Sequence, residues 1–206
     1  MFDELDTLIK SIQVEYDRIS ERWEIEYPDY AKLKLKKILV RDIYETPIML
    51  AALDYRRFLN NEKLVFELSL NNWNENNSKV NTRVKEQNSI IFKIDNYSSR
   101  IEHEYGKTPV QKCLNDLYGL RIILDKVCTH DEIRSYISKK YPKLKCIDGS
   151  KQNYIATHVY FKKNNHSFWW ELQIWLKNNE RDNIASHRKY KQDYVRWEQQ
   201  TKEVKK

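Results

Sequence analysis

From Phe168 to Leu176 the chain reads Phe-Trp-Trp-Glu-Leu-Gln-Ile-Trp-Leu, an apolar run broken at two alternate positions by a carboxylate and an amide. Side chains alternate across a strand, so Glu171 and Gln173 share a face with Trp169 and Trp175, while Trp170, Leu172, Ile174 and Leu176 line the other. An unpaired buried carboxylate is costly, so Glu171 is expected to face a cleft, a cation or a metal. A second apolar run, Leu117 to Leu124, predicts a strand with Gly119, Arg121 and Ile123 on one face. Two further strands, roughly Tyr154 to Lys162 and His166 to Leu176, are predicted to form a hairpin through Lys163-Asn164-Asn165.

The first 80 residues follow a different period. Leu5, Leu8, Ile9, Ile12 and Val14 are helically spaced, as are the apolar residues between Pro47 and Leu70, and Pro28 and Pro47 mark helix boundaries. A polar run at 71–78 separates this part from the rest. Further helices are predicted from Val80 to about Ser98, with Val84, Ile91 and Ile94 inward, near Asp131 to Lys140, and from about Asn178 onward. The fold class read from this pattern is α+β, a small mixed sheet flanked by helices. It divides into a helical region over 1–79 and a second domain over 80–206 that ends in a C-terminal helix.

Composition narrows the chemistry. Three glycines in 206 residues exclude both G-x-G-x-x-G and the Walker loop, so any nucleotide phosphates must be held by side chains. Charge is unevenly spread: residues 1–80 carry 12 Lys and Arg against 15 Asp and Glu, and residues 81–206 carry 25 against 15, or −3 and +10. The second part is suited to a polyanion. Three widely spaced cysteines read as reduced thiols, and the acidic start with no long apolar stretch predicts a cytoplasmic protein without membrane association.

The candidate chemistry lies in the basic part. Lys85, Ser89 and Lys93, four apart on the predicted helix, make a ladder of phosphate donors. Asp116 at a strand entrance with Arg121 along that strand pairs a metal ligand with a phosphate clamp. Two carboxylates on neighbouring strands, Asp116 and Glu171, suit Mg²⁺, and the second suits proton abstraction from an attacking hydroxyl. Tyr154, Ala156, His158 and Tyr160 fall on one strand face, where a tyrosine beside a small residue offers its ring to a base. His187 and Lys191 add donors near the last helix.

Arg83-Val84-Lys85 with Ser89 and Lys93, Asp116-Leu117-Tyr118-Gly119-Leu120-Arg121, Asn153-Tyr154 to His158, Glu171-Leu172-Gln173-Ile174, and His187 with Tyr190-Lys191 occur in this order. Together they resemble the RelA/SpoT-type alarmone synthetase domain. The resemblance implies a nucleotidyltransferase-type sheet and transfer of pyrophosphate from ATP to a ribose 3′-hydroxyl. It further implies that Asp116 and Glu171 coordinate Mg²⁺, with Glu171 favouring deprotonation of the hydroxyl. Arg83, Lys85, Ser89, Lys93 and Arg121 would bind ATP, Tyr154 would stack on the acceptor base, and His158, Gln173, His187 and Lys191 would line the acceptor pocket.

The acceptor loop departs from the family pattern. Asn153 replaces a glycine, and Ile155 and Ala156 replace a long polar side chain and a hydroxyl. The chain resembles a small stand-alone synthetase, and this loop, the +10 balance and the run Lys32 to Lys37 are similar to the toxic branch that modifies the 3′ CCA end of tRNA. Lys34, Lys36 and Lys37 are then candidate tRNA contacts, and a neutralising antitoxin protein is an implied partner. Two alternatives stand beside this one: the same transfer to GDP or GTP, favoured by Tyr154 and His158, and a catalytically inactive RNA- or partner-binding module.

Overall fold

A computed structural model describes residues 2–74, 80–125, 127–188, 195 and 197, with backbone alone for 71–74. Helix α1 (Asp3–Glu26) buries Leu5, Leu8, Ile9, Ile12, Tyr16, Ile19 and Trp23 along one side and ends just before Pro28. Val14, expected on that stripe, is 70% exposed, because a residue two positions past Ile12 lies about 200° round the helix from it. Helix α2 (Ile48–Asn74) starts directly after Pro47, where proline fits the first turn.

The helix expected from Val80 is instead a strand followed by a shorter helix. Val80–Val84 forms β1, with Val80 and Val84 buried and Asn81 and Arg83 exposed, and α3 (Gln87–Ser99) begins three residues later. The β-branched alternation Val-x-Thr-x-Val favours the strand. Lys85 therefore precedes the helix that carries Ser89 and Lys93. A short α4 (Val110–Cys113) leads into β2 (Tyr118–Leu124), and α5 (His130–Lys140) opens on a capping box between Thr129 and Glu132.

Three strands complete the sheet. The edge strand β3 (Lys145–Asp148) was absent from the sequence expectation. The predicted hairpin forms as β4 (Thr157–Phe161) and β5 (Trp170–Leu176), both shorter than expected, so Tyr154 and Ala156 lie in the loop before β4. Residues 180–188 are helical and are called α6. The strand order is β1-β2-β5-β4-β3, with β2 and β5 parallel and every other pair antiparallel. This is the mixed α+β sheet expected.

The N-terminal helices cover one face of the sheet. Trp170 is fully buried there, its indole N–H donating to Tyr55 Oη at 3.0 Å and its ring meeting Tyr16 edge-on at 5.4 Å. The Tyr16 hydroxyl in turn donates to the Phe168 carbonyl and accepts from the Lys163 amide. The helical region and the sheet thus share one buried cluster. Asp6 on α1 takes Lys10, Lys140 and Tyr141, tying α1 to α5. Cys113, Cys128 and Cys146 are in no disulfide, and among the described residues no helix is long and apolar enough to cross a membrane.

Candidate active site

The opposite face is organised by strand register into two transverse rows. One runs Arg83, Gly119, Glu171, Tyr160, Lys145, and the next runs Asn81, Arg121, Gln173, His158, Ile147. Since directly opposed residues point to the same face, five strands align cations, a carboxylate and aromatic donors in order. Gly119 sits between Arg83 and Glu171. A Cβ built there would meet nothing nearer than the Arg83 carbonyl at 3.9 Å, so the floor of this row is open.

Beside the rows lies Asp116, just ahead of β2. Lys85 Nζ donates to its Oδ2 at 2.7 Å, and Lys93 Nζ to its Oδ1 at 2.9 Å and to Asn115 Oδ1 at 3.0 Å. Burial opposes the charge on Asp116, yet the two ammonium groups hold the carboxyl well below the usual carboxylate range. In the half-buried Lys93 burial also works against the charge, but Asp116 outweighs it and drives the ammonium upward. In Lys85 burial wins and the ammonium is pushed down. The sequence ladder of Lys85, Ser89 and Lys93 is thereby corrected: the two lysines converge on Asp116 from different elements, and Ser89 is half-buried in the first turn of α3.

Glu171 is buried and fully engaged. Tyr160 Oη donates to Oε1 at 2.9 Å, Gln173 Nε2 to Oε2 at 2.8 Å, and His158 Nδ1 lies 3.1 Å from Oε1. Burial favours the neutral acid, but the His158 and Gln173 contacts outweigh it and the pKa falls below its ordinary value. Burial and the facing Glu171 charge push the Tyr160 phenol far up, so it remains a donor.

From His158 the network continues in a defined direction. A carboxylate only accepts, so His158 Nδ1 carries a proton toward Glu171. In the neutral ring Nε2 then accepts from Tyr154 Oη at 2.9 Å. The Tyr154 oxygen accepts from Trp175 Nε1 at 3.2 Å. Burial above all pushes the Tyr154 phenol up to about 12. The imidazole of His158 rests on Gly149, where a Cβ would fall 2.5 Å from Cδ2.

Arg121 closes the pocket toward β1. Its guanidinium stacks 3.8 Å above the Trp175 ring, with Nη2 3.4 Å from Gln173 Oε1 and 3.3 Å from His187 Nε2. Arginine only donates, so His187 Nε2 accepts. Burial, then Arg121 and Arg83, push the His187 pKa down to about 4 and keep the ring neutral. The loop that carries Tyr154 is fixed from α6: Asn183, wholly buried, accepts from Ile155 N and donates to Ile155 O, both at 2.8 Å.

The expected site residues Arg83, Arg121, Tyr154, His158, Glu171, Gln173 and His187 therefore meet on one face, with Lys85, Lys93 and Asp116 beside them. Lys191 lies outside the described residues. Lys34, Lys36 and Lys37 are exposed, the Lys36 amide bonding Asn165 O in the turn between β4 and β5. Sequence reasoning left Tyr160 and Trp175 without roles although alternation put them on this face. It gave no signal at all for Asn183 or for the packing of Gly149.

No family model matches the chain, and no curated protein is significantly similar to it. Solved structures are. They are small alarmone synthetases. Synthetase 2 of Bacillus subtilis is 18% identical over 71% of this chain and 82% of its own, with a TM-score of 0.40. Synthetase 1 of the same organism is 16% identical over 80% and 96%, with a TM-score of 0.41. A structure of synthetase 1 bound to AMPCPP is 19% identical over 72% and 77%, with a TM-score of 0.37.

Proposed function

We propose that the protein transfers pyrophosphate from ATP to the 3′-hydroxyl of the terminal adenosine of tRNA. The observation that carries the transfer chemistry is the row Arg83, Gly119, Glu171, Tyr160, in which a cation and an anionic carboxylate flank an open floor. Phosphoryl-type transfer is mainly positioning and charge neutralisation, and this row offers both.

In this reading Arg83 and Arg121, on adjoining strands, clamp the triphosphate, with Lys85 and Lys93 available to its far oxygens when they exchange Asp116 for phosphate. Ser89 adds a hydroxyl from α3. Tyr154 and His158 receive the acceptor nucleoside. The 3′-hydroxyl gives its proton to Glu171 as the bond from its oxygen to the β-phosphorus forms. The bond from that phosphorus to the oxygen bridging the α-phosphate breaks, and AMP leaves. Tyr160 and Gln173 fix the plane of the carboxylate and keep it ionised until then.

Asp116 and Glu171 fit a hard divalent cation by donor chemistry, since both are anionic oxygen ligands, and each Asp116 oxygen and Glu171 Oε2 takes a single hydrogen bond that leaves it a lone pair. Mg²⁺ held there supplies charge neutralisation to the phosphates. Among the described residues no cluster of three or more His, Cys, Asp or Glu offers a larger cage.

The choice of tRNA rests on what the acceptor loop lacks. Ala156 is buried and apolar, and both backbone groups of Ile155 are spent on Asn183, so this stretch presents no polar side chain to a guanine edge. Recognition then falls to stacking and to phosphates beyond the terminal nucleoside. The product blocks aminoacylation, so unrestrained expression arrests growth, and a neutralising protein partner belongs to this reading. Incubation with ATP labelled at the β-phosphate, offering deacylated tRNA and GDP separately, tests it: label on tRNA upholds the assignment, and label on GDP alone replaces it with alarmone synthesis, the reading that Tyr154 and His158 support.

A further inference from the structure

The face that holds Glu171 continues past Tyr160 to the β3 edge, where charge collects that the transfer chemistry does not use. We propose that Lys145 and Lys162, gathered around Trp169, with Lys112 on α4, form an RNA-backbone surface that holds the strand leading to the acceptor hydroxyl. This deepens the tRNA reading and rests on it.

The three lysines come from α4, from β3 and from the residue after β4. Lys145 Nζ and Lys162 Nζ each lie 5.6 Å from the Trp169 ring centroid, and Lys145 Nζ lies 5.9 Å from that of Tyr160. All three lysines are exposed, and among the described residues none is paired with a carboxylate. Burial, then the charges of Lys112 and Lys162, drive the Lys145 ammonium downward, so the three share one repulsive field. Convergent like charges without internal counter-ions are stabilised by an anionic ligand. Trp169 itself is 6% exposed, and its indole N–H has no hydrogen-bond partner, a buried donor left unmet.

The patch is continuous with the site in one direction and with more lysines in the other. Tyr160 packs 5.6 Å from Trp169 while its hydroxyl sits on Glu171. On the far side Gln111, next to Lys112, bonds the carbonyls of Asn164 and Ser167 in the β4 to β5 turn and, through its amide, that of Leu35. That anchors the Lys34 to Lys37 run to the same turn. A mononucleotide acceptor places its phosphates within the cleft alone, whereas cations strung from Glu171 past Trp169 to a second segment serve a chain of repeated phosphates. Exposed lysines strung along a groove supply the backbone-tracking charge of single-strand binding.

The test is the affinity of the full chain for deacylated tRNA across a salt series, for the wild type, Lys145→Gln/Lys162→Gln, and a charge-matched control, Lys10→Gln/Lys139→Gln, on α1 and α5. The first pair is expected to weaken binding at least tenfold and to reduce the slope of log affinity against log salt by about 1.4, the value for two single-strand phosphates. The control is expected to match the wild type. Equal affinity and slope in all three overturns the proposal, as does equal loss in both pairs, and so does capture of an acidic polypeptide by these lysines with tRNA binding untouched. Because binding alone is read, a protein that binds tRNA through Lys145 and Lys162 yet transfers no label upholds the surface and sinks the transfer reading. Labelling of tRNA with unchanged KM in Lys145→Gln/Lys162→Gln does the reverse.

Discussion

Tyr160 reaches across from β4 to give its hydroxyl proton to Glu171 Oε1 at 2.9 Å, and the two residues are directly opposed in the sheet register. A hydrogen bond to a buried charge contributes about 1.5–3 kcal/mol. Tyr160→Phe is expected to lower unfolding stability by that order in urea titrations. Removing a donor to the ionised form raises the Glu171 pKa, so the acid limb of the rate profile for labelled-pyrophosphate transfer moves to higher pH. An unmoved acid limb would separate Glu171 from the proton transfer.

Gly119 sets the depth of the cleft. A Cβ at this position has ordinary space around it, and a branched side chain suits a strand. Gly119→Val is therefore expected to hold its melting temperature within a few degrees, since strand propensity differences span about 1 kcal/mol. The same variant fills the floor between Arg83 and Glu171 and should reduce transfer at least a hundredfold. Wild-type turnover in this variant would show that substrate does not lie over Gly119.

Asn183 behaves as a piece of backbone, closing two hydrogen bonds with one residue of the acceptor loop. Asn183→Ala removes the partner of the Ile155 amide and carbonyl, and because Ile155 is itself exposed and water can replace part of the loss, the cost is about 1 kcal/mol. Calorimetry should register that loss. Kinetics should show the KM for the acceptor rising several-fold while the KM for ATP stays close to wild type, because the loop carries Tyr154 and the ATP clamp lies on β1 and β2.

His187 gives the fold a pH dependence. Its folded pKa, about 4, lies below the ordinary 6.5, so below 6.5 the unfolded chain takes up a proton that the folded one refuses. Stability from this residue is complete above pH 6.5, falls as pH drops toward 4 and then levels, by at most about 3 kcal/mol over the window. His187→Gln should flatten that part of the stability profile, and NMR titration of the imidazole should find it neutral at pH 5.5.

The strand that carries Glu171 was legible in the sequence because a two-residue period survives whatever packs against it. The same period placed Tyr160 and Trp175 correctly, though without a role, since an aromatic residue on a mixed face reads equally as core. Val80 to Val84 was misread because Lys85, Ser89 and Lys93 imitate a helical ladder across a strand-to-helix junction. The edge strand Lys145–Asp148 has four residues and no apolar alternation, so nothing announced it. Asn183 has its partner 28 positions away, beyond any local signal.

Lys85 and Lys93 give the Asp116 carboxylate counter-ions drawn from the protein itself. The carboxylate is thus matched during folding, and two ammonium groups on one carboxylate leave the cluster an excess of positive charge. In the proposed transfer an incoming triphosphate would trade places with a carboxylate of like sign, so that the two lysines pass from one anion to another.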